Sequence, residues 1–180
     1  MTIECHGLDT VENVFFYEQD YYCLSNFSSF TLMWKGIRFD TLEHAYHWEK
    51  FVCPDRDKFP KMLPDIELKT IQDEIRFAKS AHEAYQMAQA YKYARRPDWD
   101  EKDENGTIVK IAIMLNLLIE KVKQHDYVKR KLLDTGTRVL IENSWRDDFW
   151  GWGPNKDGHN WLGGCWMLIR TLLQNGTIVI

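Results

Sequence analysis

The stretch IVKIAIMLNLLIEKVKQH, residues 108 to 125, constrains the fold more than any other part of the chain. Ile111, Met114, Leu115, Leu118 and Val122 recur at steps of three and four. That period puts them on one helical face, and such a face has to be covered by other elements. Thr41 is a helix-capping residue, and LEHAYHWEKFV behind it reads as a helix that stops before Pro54. Further helices are predicted over about 65 to 78, 80 to 94 and 126 to 134, and WLGGCWMLIRTLLQ closes as a buried helix. Strand signals are few. FTLMWKGIRFD reads as a short hairpin turning at Lys35-Gly36, and TRVLIEN, after the break at Gly136, as a strand. The expected fold is mainly α, an α-rich α+β arrangement in a single compact helical domain with a short β-hairpin.

With 180 residues the chain is long enough for one domain with a real core. At 44% hydrophobic and 28% charged residues it is not a disordered chain. A net charge of -4 argues against coating nucleic acid by bulk charge, but leaves room for gripping one nucleotide in a local pocket. The first residues, MTIECHGLDTVENVFFY, show no basic region ahead of an apolar run, and no stretch is long and apolar enough to span a membrane. The expectation is a cytoplasmic protein. Its scattered Cys5, Cys23, Cys53 and Cys165 then read as reduced thiols rather than a zinc ribbon.

Four stretches carry residue types suited to chemistry. In TLEHAYHWEKF, helical spacing places Glu43, Tyr46, His47 and Lys50 on one face, with Glu43 in the first turn, where the helix dipole favours a carboxylate. The plainer alternative is a solvated face. His44 and His47 lack the HExxH order of a zinc site, so no metal is expected. In ARRPDW, Arg96 suits a phosphate and Trp99 suits stacking on a base; the alternative is a surface arginine and a tryptophan plugging a core edge. In IENSWRDDFWGWG, Glu142, Asp147 and Asp148 precede Trp150. A carboxylate beside an aromatic wall suits glycosidic chemistry, since the acid offsets charge on the sugar and the ring excludes water. In DGHNWLGG, Asn160 reads as a cap of the last helix, and Gly163 and Gly164 as room for a phosphate at its amides or for close helix packing.

Taken in order, these pieces resemble the NADAR family of YbiA-like N-glycosidases. The resemblance is carried by FFYEQDYYCLSNFSSF, TLEHAYHWEKF, RRPDWDE, KIAIMLNLLIEK, LLDTGTRVLIENSWRDDFWGWG and GHNWLGGCWMLIR, with residues 1 to 14 left as an N-terminal extension and 15 to 180 as the domain. It implies hydrolysis of an N-glycosidic bond in a phosphorylated ribosyl compound, without a cofactor. Two substrate classes follow from it: ADP-ribose attached to guanine, in DNA reached through a local pocket, and ribosylamino-pyrimidine phosphates of riboflavin synthesis. Carried over by position, Glu43 matches the catalytic glutamate and Asp147 the second acid. Asn26, Phe27, Tyr46, Lys50, Arg96, Trp99, Trp150, Asn160 and Gly163 match substrate-binding positions. The chain departs from relatives at Ala88-Gln89, where they carry Gly-Arg, and in the bulkier aromatics of NWLGGCWM. The rival readings are a module that binds ADP-ribose or NAD without cleaving it, a partner-binding protein anchored by tryptophans, and a zinc hydrolase.

Overall fold

Helix α4, Val109–Gln124, forms where the apolar period predicts, and buries Ile111, Met114, Leu117, Leu118 and Val122. Leu117 takes the place expected for Leu115, which stays half-buried. The computed structural model describes residues 7 to 178. Cys5 and the first six residues of the expected extension lie outside the described residues. No helix among the described residues is long and apolar enough to cross a membrane. The contacts gather in two compact units, Ser29–Leu117 and the remainder, and the cut falls inside α4.

The Ser29–Leu117 unit opens with the hairpin of β2 and β3; β1 and β4 belong to the other unit. Leu32–Trp34 (β2) pairs antiparallel with Ile37–Phe39 (β3). Its two-residue turn puts Lys35 at φ 50° and Gly36 at φ 76°, the left-handed pair that matches strand twist. Three helices follow: α1, Leu42–Glu49, α2, Asp65–Arg76, and α3, Ala81–Ala90. Thr41 and Ser80 cap α1 and α3 by accepting from the amides of His44 and Glu83. The three helices pack on one another around Phe51, Leu68, Ile71, Ile75, Ala84 and Ala88. α1 and α3 stop a turn earlier than expected. Beyond α3 the chain tightens into 3-10 turns at Lys92–Ala94 and Pro97–Asp100.

The other unit is built on a feature invisible to local pattern. Asn13–Phe15 (β1) pairs in parallel with Val139–Ile141 (β4), in the register Val14 to Leu140. Asn13 and Val14 are part of the stretch expected as an extension, and Val14 is fully buried. A 3-10 helix, Gln19–Leu24, follows. α5, Asp126–Asp134, and α6, Trp161–Gln174, complete the unit, with α6 packed on β4. Trp166 is buried in this unit and its Nε1 donates to Leu24 O at 2.8 Å. Arg170, also buried, donates to Thr135 Oγ1 and Arg138 O.

The glycine pair of α6 separates cleanly. A Cβ on Gly163 would stand 2.1 Å from Leu140 O, whereas one on Gly164 would meet nothing within 4 Å. Gly163 is thus a packing glycine that lets α6 lie on β4. Gly163→Ala should cost about 1–3 kcal/mol, the usual range for overpacking. Gly164→Ala should be neutral or gain up to about 1 kcal/mol from helix propensity. Urea unfolding of both variants measures the difference, and equal midpoints would refute it.

Candidate active site

α1 is eight residues long and buries seven of them, among them Glu43, His44, His47 and Glu49. The solvated face considered above does not exist. Burying this many ionisable groups demands partners for each. His44 bonds Thr41 Oγ1 at 2.8 Å and Ala78 O at 3.1 Å. Glu49 accepts from Trp34 Nε1 and pairs with Lys35 at 2.7 Å, which ties the hairpin to the helix. His47 Nε2 lies 2.8 Å from Glu43 Oε1, one turn away. The two histidines are therefore spoken for by Thr41, Ala78 and Glu43.

Burial holds the His47 imidazole below its ordinary range, with the Glu43 charge opposing. The ring is neutral at pH 7, and a neutral ring has one N–H to give. Given to Glu43, it fixes the tautomer and orients the carboxylate. His47 Nδ1 is then a buried acceptor with no hydrogen-bond partner among the described residues. Glu43 itself is 8% exposed. The result is an anion held on a rigid helix by one directed bond.

Lys50 follows α1 directly. Its Nζ stands 5.0 Å from the Tyr46 ring centre and 5.7 Å from that of Trp99, within reach of both π faces. Burial pulls its ammonium down to about 8; Glu43 opposes that pull and Arg95 adds to it. Tyr46, Trp99, Lys50, Glu43 and His47 thus form one cluster inside the Ser29–Leu117 unit. Trp99 is 2% exposed and packs on Tyr46 at 5.2 Å. Its ring is a core plug and not an open stacking surface, because both faces already have neighbours. Arg96 is likewise committed: its Nε and Nη2 each reach Asp98 at 2.7 Å, a bidentate pair. This carboxylate, two residues on, was missed from sequence, although the spacing RxD was there to be seen. Arg96 N also donates to Lys50 O at 2.8 Å, fastening the segment to the end of α1.

In the remaining unit, several predicted ligand groups turn out to build their own loop. Asp147 Oδ1 accepts from the amides of Phe149 and Trp150, both at 2.8 Å. Trp150 is half-buried, edge-on to Phe149 at 5.1 Å. Asn160 stands ahead of α6 at φ 51° and makes no side-chain cap. It bridges strand β4 instead, accepting from Glu142 N and donating to Leu140 O. The amides of Trp161, Leu162 and Gly164 donate to Phe149 O, Trp150 O and Asn160 O. A phosphate at the start of α6 would have to displace those carbonyls, so the geometry favours packing over anion binding at Gly163. Asn26 is buried and Phe27 half-buried, on a turn whose amides bond within it.

Comparison with known proteins fits this arrangement. The NADAR domain description matches residues 15–174, and the chain belongs to the NADAR family. It is an enzyme of the N-glycosidase class. It is 33% identical over 164 residues to N-glycosidase Npun_R5314 of Nostoc punctiforme, covering 90% of this chain and 93% of that one. Against the N-glycosidase YbiA of Escherichia coli the identity is 28%, over 92% of this chain and 89% of the relative. The solved structure of the E. coli protein YbiA matches with a TM-score of 0.72 at 26% identity, over 97% and 91% of the two chains. The riboflavin biosynthesis protein VVA0006 of Vibrio vulnificus is 29% identical over 89% of this chain, which spans only 38% of that protein.

Asp147 has two separable roles, and two variants divide them. Asp147→Ala removes both loop bonds and should cost about 1–3 kcal/mol. Asp147→Asn keeps an acceptor oxygen and should fold normally. Activity retained by Asp147→Asn but lost by Asp147→Ala assigns the residue to loop building. Activity lost by both, with Asp147→Asn fully stable, assigns its charge to the reaction.

Proposed function

We propose that this N-glycosidase removes ADP-ribose from guanine bases, with Glu43 as its catalytic carboxylate. The observation that carries the reading is the Glu43–His47 pair, 2.8 Å long and buried on α1 beside the Lys50 ammonium. In the reaction, the C1'–N bond lengthens until its electron pair stays with the base nitrogen. The ribose carbon then carries oxocarbenium character. Glu43 stabilises that charge and takes a proton from the water that adds to C1'. The base leaves with a proton, and the sugar product is ADP-ribose. His47, neutral and donating, keeps Glu43 aimed. Lys50 meets the negative charge of the phosphates. One positioned acid–base group is worth roughly 10²–10⁴ in rate.

A second reading is supported by the relative named for riboflavin biosynthesis. Under it the substrate is a ribosylamino-pyrimidine phosphate and the sugar product is ribose 5-phosphate. Both readings use the same carboxylate and the same bond.

Wild type and Glu43→Gln, incubated with a guanine-ADP-ribosylated oligonucleotide and with the ribosylamino-pyrimidine phosphate, decide the matter by mass spectrometry of products. The expected result is ADP-ribose from the oligonucleotide, made by wild type and reduced about 10²–10⁴-fold in Glu43→Gln. Gln keeps an acceptor for His47, so ADP-ribose affinity should change little. Ribose 5-phosphate alone would replace the first reading with the second, and no product from either would remove both.

Lys50 supplies a pH test with a definite sign. Its folded pKa of about 8 lies below the ordinary 10.5, so the unfolded chain holds this proton more tightly. Between pH 8 and 10.5 this group therefore adds stability as pH rises. Over the same interval its positive charge is lost. KM for the phosphate-bearing substrate should climb above about pH 8 while the urea midpoint does not fall on this account. Lys50→Arg, which stays charged, should remove that inflection. An inflection unchanged in Lys50→Arg would take Lys50 out of the binding role.

A further inference from the structure

With the Trp99 ring buried, a flat heterocycle needs another place to lie. A cavity of about 460 Å³ is lined by Tyr17, Glu18, Gln19, Tyr22, Ser25 and Phe27. Three of these six are aromatic, and two carry carboxyl or amide groups suited to the N–H edge of a base. Gln19 is held at φ 64°, a left-handed backbone that a glutamine adopts only under constraint from its surroundings. Strain of this kind gathers at ligand-binding walls.

Behind the cavity wall lies a lysine that sequence reading passed over. Lys121 is completely buried, and its Nζ donates to Ser25 O at 2.9 Å and to Ser28 Oγ at 2.8 Å. Those residues are 96 and 93 positions away in the chain. Ser28 Oγ in turn reaches Ser25 O and Cys23 O, and Trp166 holds Leu24 O. Three successive carbonyls, from Cys23 to Ser25, are thus gripped from the protein interior. Burial pulls the Lys121 ammonium down to about 7, with the Cys23 thiol as counterweight. Charged or neutral, the amine has protons enough for both bonds. On stability grounds alone an apolar side chain of similar length would serve this position as well or better.

We propose that the Tyr17–Tyr22–Phe27 cavity is the subsite for a flat heterocycle, and that Lys121 is the positioning residue that sets its wall. The inference rests on the N-glycosidase reading for the source of that heterocycle. Either the leaving base or the adenine of ADP-ribose has the chemistry to fill the cavity.

Three proteins test this: wild type, Tyr22→Ala on the exposed wall, and Lys121→Met behind it. KM and kcat are measured on the guanine-ADP-ribosylated oligonucleotide, the affinity of free ADP-ribose by calorimetry, and amide exchange over residues 21 to 28 by mass spectrometry. Both variants should weaken the same ligand at least tenfold, with kcat within threefold of wild type. A raised KM with unchanged ADP-ribose affinity places the leaving base in the cavity. Weakened ADP-ribose places the adenine there. In Lys121→Met, exchange over 21 to 28 should quicken at least tenfold while the urea midpoint holds. Unchanged ligand affinities in Tyr22→Ala would overturn the subsite. A fall in midpoint with faster exchange throughout the unit would reduce Lys121 to a structural residue. If wild type cleaves neither substrate of the preceding section, the assigned reaction falls. ADP-ribose binding by Tyr22→Ala and exchange in Lys121→Met then still decide the subsite and the lysine.

Discussion

The hydrogen bond from His47 to Glu43 governs how the rest of the Ser29–Leu117 unit is arranged. A carboxylate and an imidazole buried one turn apart on a short helix are unstable guests in an apolar core unless each satisfies the other. Once they do, α1 has no solvent face and must be covered on all sides. The hairpin covers one side, locked by Trp34 and Lys35 on Glu49. α2 and α3 cover others, and the Ala78 carbonyl meets His44 where α2 has ended. The order of elements in this unit follows from that need. What looks like an expensive way to build a helix becomes reasonable if the buried anion has work to do. A stability-driven sequence would place leucine at such positions and lose little.

Much of the helical frame was legible, because helices announce themselves locally. Periodicity located α2, α4, α5 and α6 nearly to the residue, and Lys35-Gly36 located the hairpin. The parallel pairing of β1 with β4 was not legible. Its partners lie 126 positions apart by register, Asn13 with Val139, and a three-residue strand is too short to show an alternation. The burial of α1 was hidden for a related reason. A polar face looks solvated in sequence whether or not other elements later close over it, and only the tertiary partners decide.

Among candidate site residues the division is by what each group was already doing. Glu43, Tyr46 and Lys50 fall together, as helical spacing requires. Asp98 explains Arg96, and Leu140 explains Gly163, through contacts two and 23 residues away. The same residue types that hold a ligand also hold a loop: an acid accepts backbone amides, a glycine permits close approach, a tryptophan fills space. The 147 to 164 stretch uses all three for its own construction. Composition marks such a stretch as unusual without saying which use prevails. The amide inventory does say, since Trp161, Leu162 and Gly164 have carbonyl partners inside the protein.

The two buried lysines show how an acidic chain can still handle an anion. With a net charge of -4, long-range attraction is weak, and any useful cation has to be strengthened locally. Lys50 achieves this by partial dehydration between two aromatic faces, at the cost of a pKa near 8. Lys121 is dehydrated further, to a pKa near 7, and its protons are spent on Ser25 and Ser28. One lysine keeps its charge available and the other gives it up for geometry. Exchanging their environments would abolish both uses, which is why neither could be assigned from residue type alone.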